Sequence, residues 1–124
     1  MSEKDLQNAI QAAFNYQKAV LFRNNCGSLK NKFGGWVTYG IGNPGGSDLI
    51  GISEVLVTEK HIGQTLGVFT AIECKFGNNK ASPEQIEFIK KIRKLGGIAA
   101  VAYTLEDALE VLRAKRGDES CSLL

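Results

Sequence analysis

From Glu3 to about Leu21 the apolar side chains Leu6, Ile10, Ala13, Phe14 and Val20 recur at helical spacing, and Ser2 stands where an N-cap is needed. A first helix is expected there. A glycine-rich run from Gly27 to Gly46 follows, with one strand-like island, Trp36 to Tyr39, between turn signals. Asp48 to Ile52 and Gly67 to Phe76 then read as apolar runs rich in Val, Ile, Phe and Thr, separated by the polar turn Thr58 to Gln64. These two runs are expected to be neighbouring core strands. Ser82-Pro83-Glu84-Gln85 supplies an N-cap, a proline at the first helical position and a capping-box glutamine. The helix it opens carries the stripe Ile86, Ile89, Ile92 and Leu95 and stops at Gly96-Gly97. Ile98 to Tyr103 reads as a short buried strand, and Thr104-Leu105-Glu106-Asp107 caps a last helix with Leu109 and Leu112 on its apolar side.

The order is helix, two or three strands in a meander, helix, strand, helix, with the helix after Ser82 crossing over between parallel strands. This is an α/β chain with a mixed sheet flanked by helices. At 124 residues it suits one domain, expected over residues 1–116. The segment 117–124 has no periodicity and is expected to be a frayed tail.

Composition narrows the class without naming a function. Apolar residues make up 44% and charged residues 23%, so disordered, collagenous and disulfide-scaffold classes drop out. Apolar stretches such as Val68 to Ile72 fall far short of the roughly 18 residues of a membrane span. The start MSEKDLQ does not read as a signal peptide, and a cytoplasmic protein is expected. Cys26, Cys74 and Cys121 form an odd set without a C-x-x-C pair, which suggests neither a disulfide framework nor a zinc ribbon. A net charge of +2 decides nothing about a nucleic-acid partner. Its distribution says more: Arg23, Lys30 and Lys32 cluster in one segment, and Lys90, Lys91, Arg93 and Lys94 in another.

The informative anomaly is Glu73 and Lys75, two charges inside Val-Phe-Thr-Ala-Ile-Glu-Cys-Lys-Phe, where a core strand should be apolar. Residues two apart share a strand face, so these side chains project together while Ile72, Cys74 and Phe76 point the other way. The Cys74 thiol is expected in the core. Asp48 opens the preceding apolar run, and a meander would bring its carboxylate beside Glu73. Two carboxylates and a lysine suit phosphodiester hydrolysis, which needs hard oxygen ligands for Mg²⁺ and a group that orients or deprotonates the attacking water. Asp48 and Glu73 would hold the ion, with the backbone carbonyl of Cys74 as a further ligand. Whether Lys75 is a base or a fixed positive charge stays open.

With these motifs in view, Gly46-Ser47-Asp48-Leu49-Ile50-Gly51, Ala71-Ile72-Glu73-Cys74-Lys75, Ser82-Pro83-Glu84-Gln85 and Gly96-Gly97 resemble the VRR-NUC family of nucleases, over nearly the whole chain. That family lies in the PD-(D/E)XK superfamily. The resemblance implies a restriction-endonuclease-like α-β-β-β-α-β core, catalytic roles for Asp48, Glu73 and Lys75, and Mg²⁺ or Mn²⁺ as cofactor. Ser47 stands where the superfamily has its nominal proline. It further implies a metal-approaching acid on the first helix, here Glu3, and a site glutamine on the later helix, here Gln85. Both residues also have local reasons to be there, as a first-turn acid and a capping-box partner. Arg23, Lys30, Lys32 and Ser47 become candidate DNA contacts. Stand-alone relatives are typical of phages and prophages, and some cut four-way junctions as homodimers. The expected partner is therefore branched DNA, cut by a homodimer to leave 5′-phosphates. A flap, nick or duplex nuclease and a non-catalytic DNA-binding module are the competing readings.

Three other signals are set aside. Gly40-Ile41-Gly42-Asn43-Pro44-Gly45 matches a dinucleotide fingerprint, but a strand rather than a helix is expected after it, so no nucleotide cofactor is expected. These glycines better suit a turn that aims Asp48 or an approach to DNA. His61 lies in a polar turn without a nucleophile partner and is expected to be solvated. Trp36 and Tyr39 could stack on bases, but packing is the expected role.

Overall fold

Helix α1 (Glu3–Asn15) begins as its cap requires: the Ser2 hydroxyl accepts from the Asp5 N–H at 3.0 Å, and the Asp5 carboxylate accepts from the Ser2 N–H at 3.1 Å. The Ser2 backbone N–H, and then its hydroxyl, hold the Asp5 carboxyl below the usual carboxylate value. That contact supports α1 fully above the usual value and is lost as pH falls through the lower value of the folded state. In this computed structural model, which describes residues 2–117, α1 stops well before the expected end near Leu21. Lys18 adopts a left-handed φ of 53° and turns the chain into strand β1 (Ala19–Arg23). The helical spacing of Val20 was a coincidence of period: a β-branched residue beside aromatic Phe22 takes the extended ladder that is available to it.

The chain divides into two compact units, Met1–Ser53 and Glu54–Leu124. In the first, β1 pairs antiparallel with β4 (Leu49–Ser53), matching Val20 to Ile52 and Phe22 to Ile50. The ladder partner of β4 is thus a segment expected to be helical and not the Gly67 to Phe76 run expected beside it; the described strands pair as three two-stranded sheets, so the meander is not formed. Among the described residues of this unit, Ala19 and Ile52 are the buried apolar ones. Between them in sequence, β2 (Gly27–Lys30) and β3 (Trp36–Tyr39) form an antiparallel hairpin. Strand β3 is the expected island; β2, short and glycine-led, was not expected.

In the second unit a 3₁₀ turn (Glu59–His61) occupies the expected polar turn. Strand β5 (Thr70–Cys74), helix α2 (Pro83–Lys94) and parallel strand β6 (Ile98–Ala102) form the expected crossover unit. Strand β5 is shorter than the apolar run suggested, and Phe76 is exposed. Ile89 and Ile92 of α2 are buried with Ile98, Ala99, Ala100 and Ala102 of β6, and helix α3 (Leu105–Arg116) also packs on β6. Of the expected tail 117–124, all but Gly117 lies outside the described residues. No helix among the described residues is long and apolar enough to cross a membrane.

The α2 cap forms in full: the Ser82 hydroxyl accepts from the Gln85 N–H at 3.1 Å, and the Gln85 amide oxygen accepts from the Ser82 N–H at 2.9 Å. Replacing Ser82 with Ala is expected to cost about 1 kcal/mol, read as a lower urea midpoint at unchanged slope.

Candidate active site

Strand alternation places Glu73 and Lys75 on one side of the β5 line, as expected. The Lys75 Nζ lies 3.7 Å from the Glu73 Oε2, with the two side chains 20% and 32% exposed. This partial burial is what distinguishes the pair from an ordinary surface ion pair, because its field is less screened by water. Lys75 lies just past the strand, yet its N–H donates to the Ala102 carbonyl at 3.0 Å, so the ladder with β6 still fixes its backbone. Glu73 lines a cleft of about 270 Å³ together with Ala71, Ile72, Glu84, Gln85, Phe88 and Ile89. The structure thus brings Glu73, Lys75 and Gln85 into one neighbourhood. Gln85 serves its cap through its amide oxygen while lining the cleft, so the two roles weighed for it are compatible. Glu84 is a second carboxylate in the lining of this cleft that the sequence did not single out, since an acid in the first turn of a helix also suits the helix dipole.

Asp48 immediately precedes β4 in the first unit, and its side chain is exposed. The residue that holds it was not expected from sequence. Asn24, a buried polar residue 9% exposed, donates its backbone N–H to the Asp48 carbonyl at 2.8 Å. Its side-chain amide donates to the carbonyls of Ile41 at 2.8 Å and Ser47 at 3.0 Å, and accepts from the Ile41 N–H at 2.8 Å. One side chain therefore ties together both ends of the glycine loop that leads to Asp48. At Gly46 an added Cβ would collide with the Ile41 carbonyl, so this loop closes only with glycine there. A strand follows the loop, which rules out the helix-opening dinucleotide motif. The available signal was a polar residue placed directly after the apolar run Ala19 to Phe22 and Arg23. Asn24→Ala should destabilise the protein by about 1–3 kcal/mol in urea unfolding, because it strips partners from buried peptide groups.

The remaining candidates are scattered over the first unit. Glu3 is exposed on the first turn of α1. Arg23 ends β1 and donates to Gln7 at 2.8 Å and to Asn8, which pins its guanidinium to α1. Lys30 ends β2, Lys32 lies in the hairpin turn, and Ser47 is exposed with its carbonyl held by Asn24. Three expectations are corrected. The Cys74 residue is exposed rather than in the core, because the packed apolar layer of this unit lies on α2 and β6. Trp36 is 71% and Tyr39 43% exposed, because the short hairpin that carries them has no packed layer over it. His61 is half-buried, and its Nδ1 accepts from the Thr58 N–H at 3.0 Å, which caps the 3₁₀ turn.

The cleft is largely apolar, and only its polar edge offers hard oxygen donors of the kind a divalent cation takes. Its polar lining is carboxylate and amide oxygen from Glu73, Glu84 and Gln85, with no imidazole or thiolate. Among the described residues no group of three or more His, Cys, Asp or Glu is placed to hold a metal ion. Mg²⁺ needs none, since it is commonly held by one or two carboxylates, waters and substrate phosphates.

No curated protein and no solved structure matches the chain. The VRR-NUC domain family model does, over residues 1–105 of 124, and its span crosses both compact units. PD-(D/E)XK-type nuclease domains generally use divalent metal ions. A half-buried Glu-x-Lys pair beside this cleft, within that match, carries the conclusion: the chain belongs to the VRR-NUC family and is a PD-(D/E)XK-type nuclease acting on DNA.

Proposed function

We propose that residues 1–116 work as one nuclease domain that hydrolyses phosphodiester bonds of branched DNA with Mg²⁺ or Mn²⁺, through a single site built from Asp48, Glu73 and Lys75. The observation that carries this reading is the Glu73–Lys75 pair, held half-buried at 3.7 Å on a strand end. The family match, which covers residues 1–105, supports a nuclease reading for most of this span. A divalent ion would supply Lewis-acid polarisation of the scissile phosphate. Asp48, Glu73 and the Cys74 carbonyl would hold it, with Glu3 approaching from α1. Lys75 orients or deprotonates the attacking water, and Gln85 helps to position it. Arg23, Lys30, Lys32 and Ser47 contact the DNA backbone, where positive side chains and small donors fix register without reading sequence.

A domain this small covers little DNA alone, and a two-fold pair of sites suits symmetric incision of a four-way junction, so the active species in this reading is a homodimer. The test is cleavage of labelled four-way junction, flap, nicked and linear duplex DNA, alongside light scattering at assay concentration. Paired symmetric cuts by a dimer are expected. Faster cutting of flaps, nicks or duplex would overturn the junction preference, and a monomer would sink the symmetric mechanism.

A further inference from the structure

The β2–β3 hairpin presents an unusual set of side chains. Cross-strand partners share a face, so the pairing Lys30↔Trp36 sets an ammonium directly opposite an indole, with Ser28 and Thr38 beside them. On the other face lie Leu29, Val37 and Tyr39, the last resting against Gly27, where an added Cβ would meet the ring. At the tip the Lys32 ammonium lies 5.1 Å from the centre of the Phe33 ring, a cation–aromatic pair. Trp36 is 71% exposed and Phe33 86% exposed. The tip is nonetheless ordered. The Asn31 amide oxygen accepts from the N–H groups of Phe33 at 2.9 Å and Gly35 at 3.0 Å, and the Asn31 N–H donates to the Gly35 carbonyl at 2.7 Å. A fixed turn holding large apolar rings in water loses free energy unless something covers them.

Charge indicates what covers them. From Leu6 to Ser47 the chain carries Lys18, Arg23, Lys30 and Lys32 and no Asp or Glu. Pairing of this hairpin with its own copy would set Lys30 and Lys32 against like charges, whereas a polyanion with flat faces complements both the ammonium groups and the rings. We propose that the β2–β3 hairpin binds unpaired bases of a DNA strand, with Trp36 and Phe33 stacking on bases and Lys30 and Lys32 meeting the adjoining phosphates. This rests on the nuclease reading and adds to it the means by which a branch or fork is told from plain duplex, because unpaired bases can splay out and offer their faces to a ring whereas bases within a duplex are stacked on their neighbours.

Trp36 is the sole tryptophan, so its emission reports on this face alone. The experiment titrates the full chain, in EDTA to prevent cleavage, with fluorescein-labelled oligo-dT, a forked duplex and a blunt duplex. Anisotropy of the label and quenching of Trp36 are read together. Oligo-dT and the fork should quench Trp36 as they bind, and the blunt duplex should bind without quenching. Trp36→Ala should weaken fork binding roughly tenfold, about the worth of one stacked base, with Trp36→Phe restoring much of it and blunt-duplex binding unchanged. Fork binding with unchanged emission, or an equal loss for fork and blunt duplex, overturns the hairpin proposal and leaves the nuclease reading standing. Emission that shifts with protein concentration alone, as dimer forms, overturns it in favour of a second copy. No anisotropy change with any DNA overturns both.

Discussion

Lys75→Ala is expected to slow DNA cleavage by about 10²- to 10⁴-fold, whether the lost contribution is proton transfer or fixed charge. The side chain is 20% exposed and sits 3.7 Å from the Glu73 carboxylate, a partly dehydrated setting in which a positive charge would be strongly felt by a phosphate placed beside it. Removing it should leave the fold intact, because the backbone of residue 75 is held by its own N–H to the Ala102 carbonyl and not by the side chain. Single-turnover cleavage with unchanged far-ultraviolet dichroism checks both halves. Lys75→Arg is not expected to rescue fully, since a planar guanidinium cannot serve as a base and places its charge differently. A variant that cuts at the wild-type rate would remove Lys75 from the chemistry.

The second large effect is on stability. Ile92 has no exposed surface and is the one large side chain among the described residues that is fully buried, between α2 and the alanine-rich strand β6. The Ile92→Ala variant should lose about 2–5 kcal/mol, the transfer term plus the cavity left behind, because Ala99, Ala100 and Ala102 are too small to close over it. The thermal midpoint should fall by roughly 10 °C or more. Activity should fall with it near the transition, since α2 carries Glu84 and Gln85 into the cleft. A loss below about 1 kcal/mol would contradict this account of the core.

The second unit was the more legible from sequence. Its elements announce themselves by caps and breaks, as in Ser82-Pro83 before α2 and Gly96-Gly97 after it, and the crossover follows from order alone. Glu73 and Lys75 were legible for a different reason: period-2 alternation converts a two-residue spacing into a shared face. The first unit was harder. Val20 fitted a helical period by accident, and only a left-handed Lys18 shows where the helix gives way to β1. Asn24 stayed hidden because its importance lies in long-range bonds to Ile41 and Ser47, which no local pattern encodes. The exposure of Trp36 and Cys74 escaped for a related reason. Aromatic and thiol groups are usually buried, and sequence does not reveal that their strands lack a covering layer.

The central proposal is that Asp48 and Glu73 are both needed for metal-dependent cleavage of DNA. Its most direct test is cleavage of four-way junction and duplex DNA by wild type, Asp48→Asn, Glu73→Gln and the double variant, in Mg²⁺, in Mn²⁺ and in EDTA. The account predicts cutting only with metal, its loss in either single variant, and a double variant no worse than the singles, as groups acting as a unit are non-additive. Cleavage that survives EDTA or persists in Asp48→Asn would contradict it.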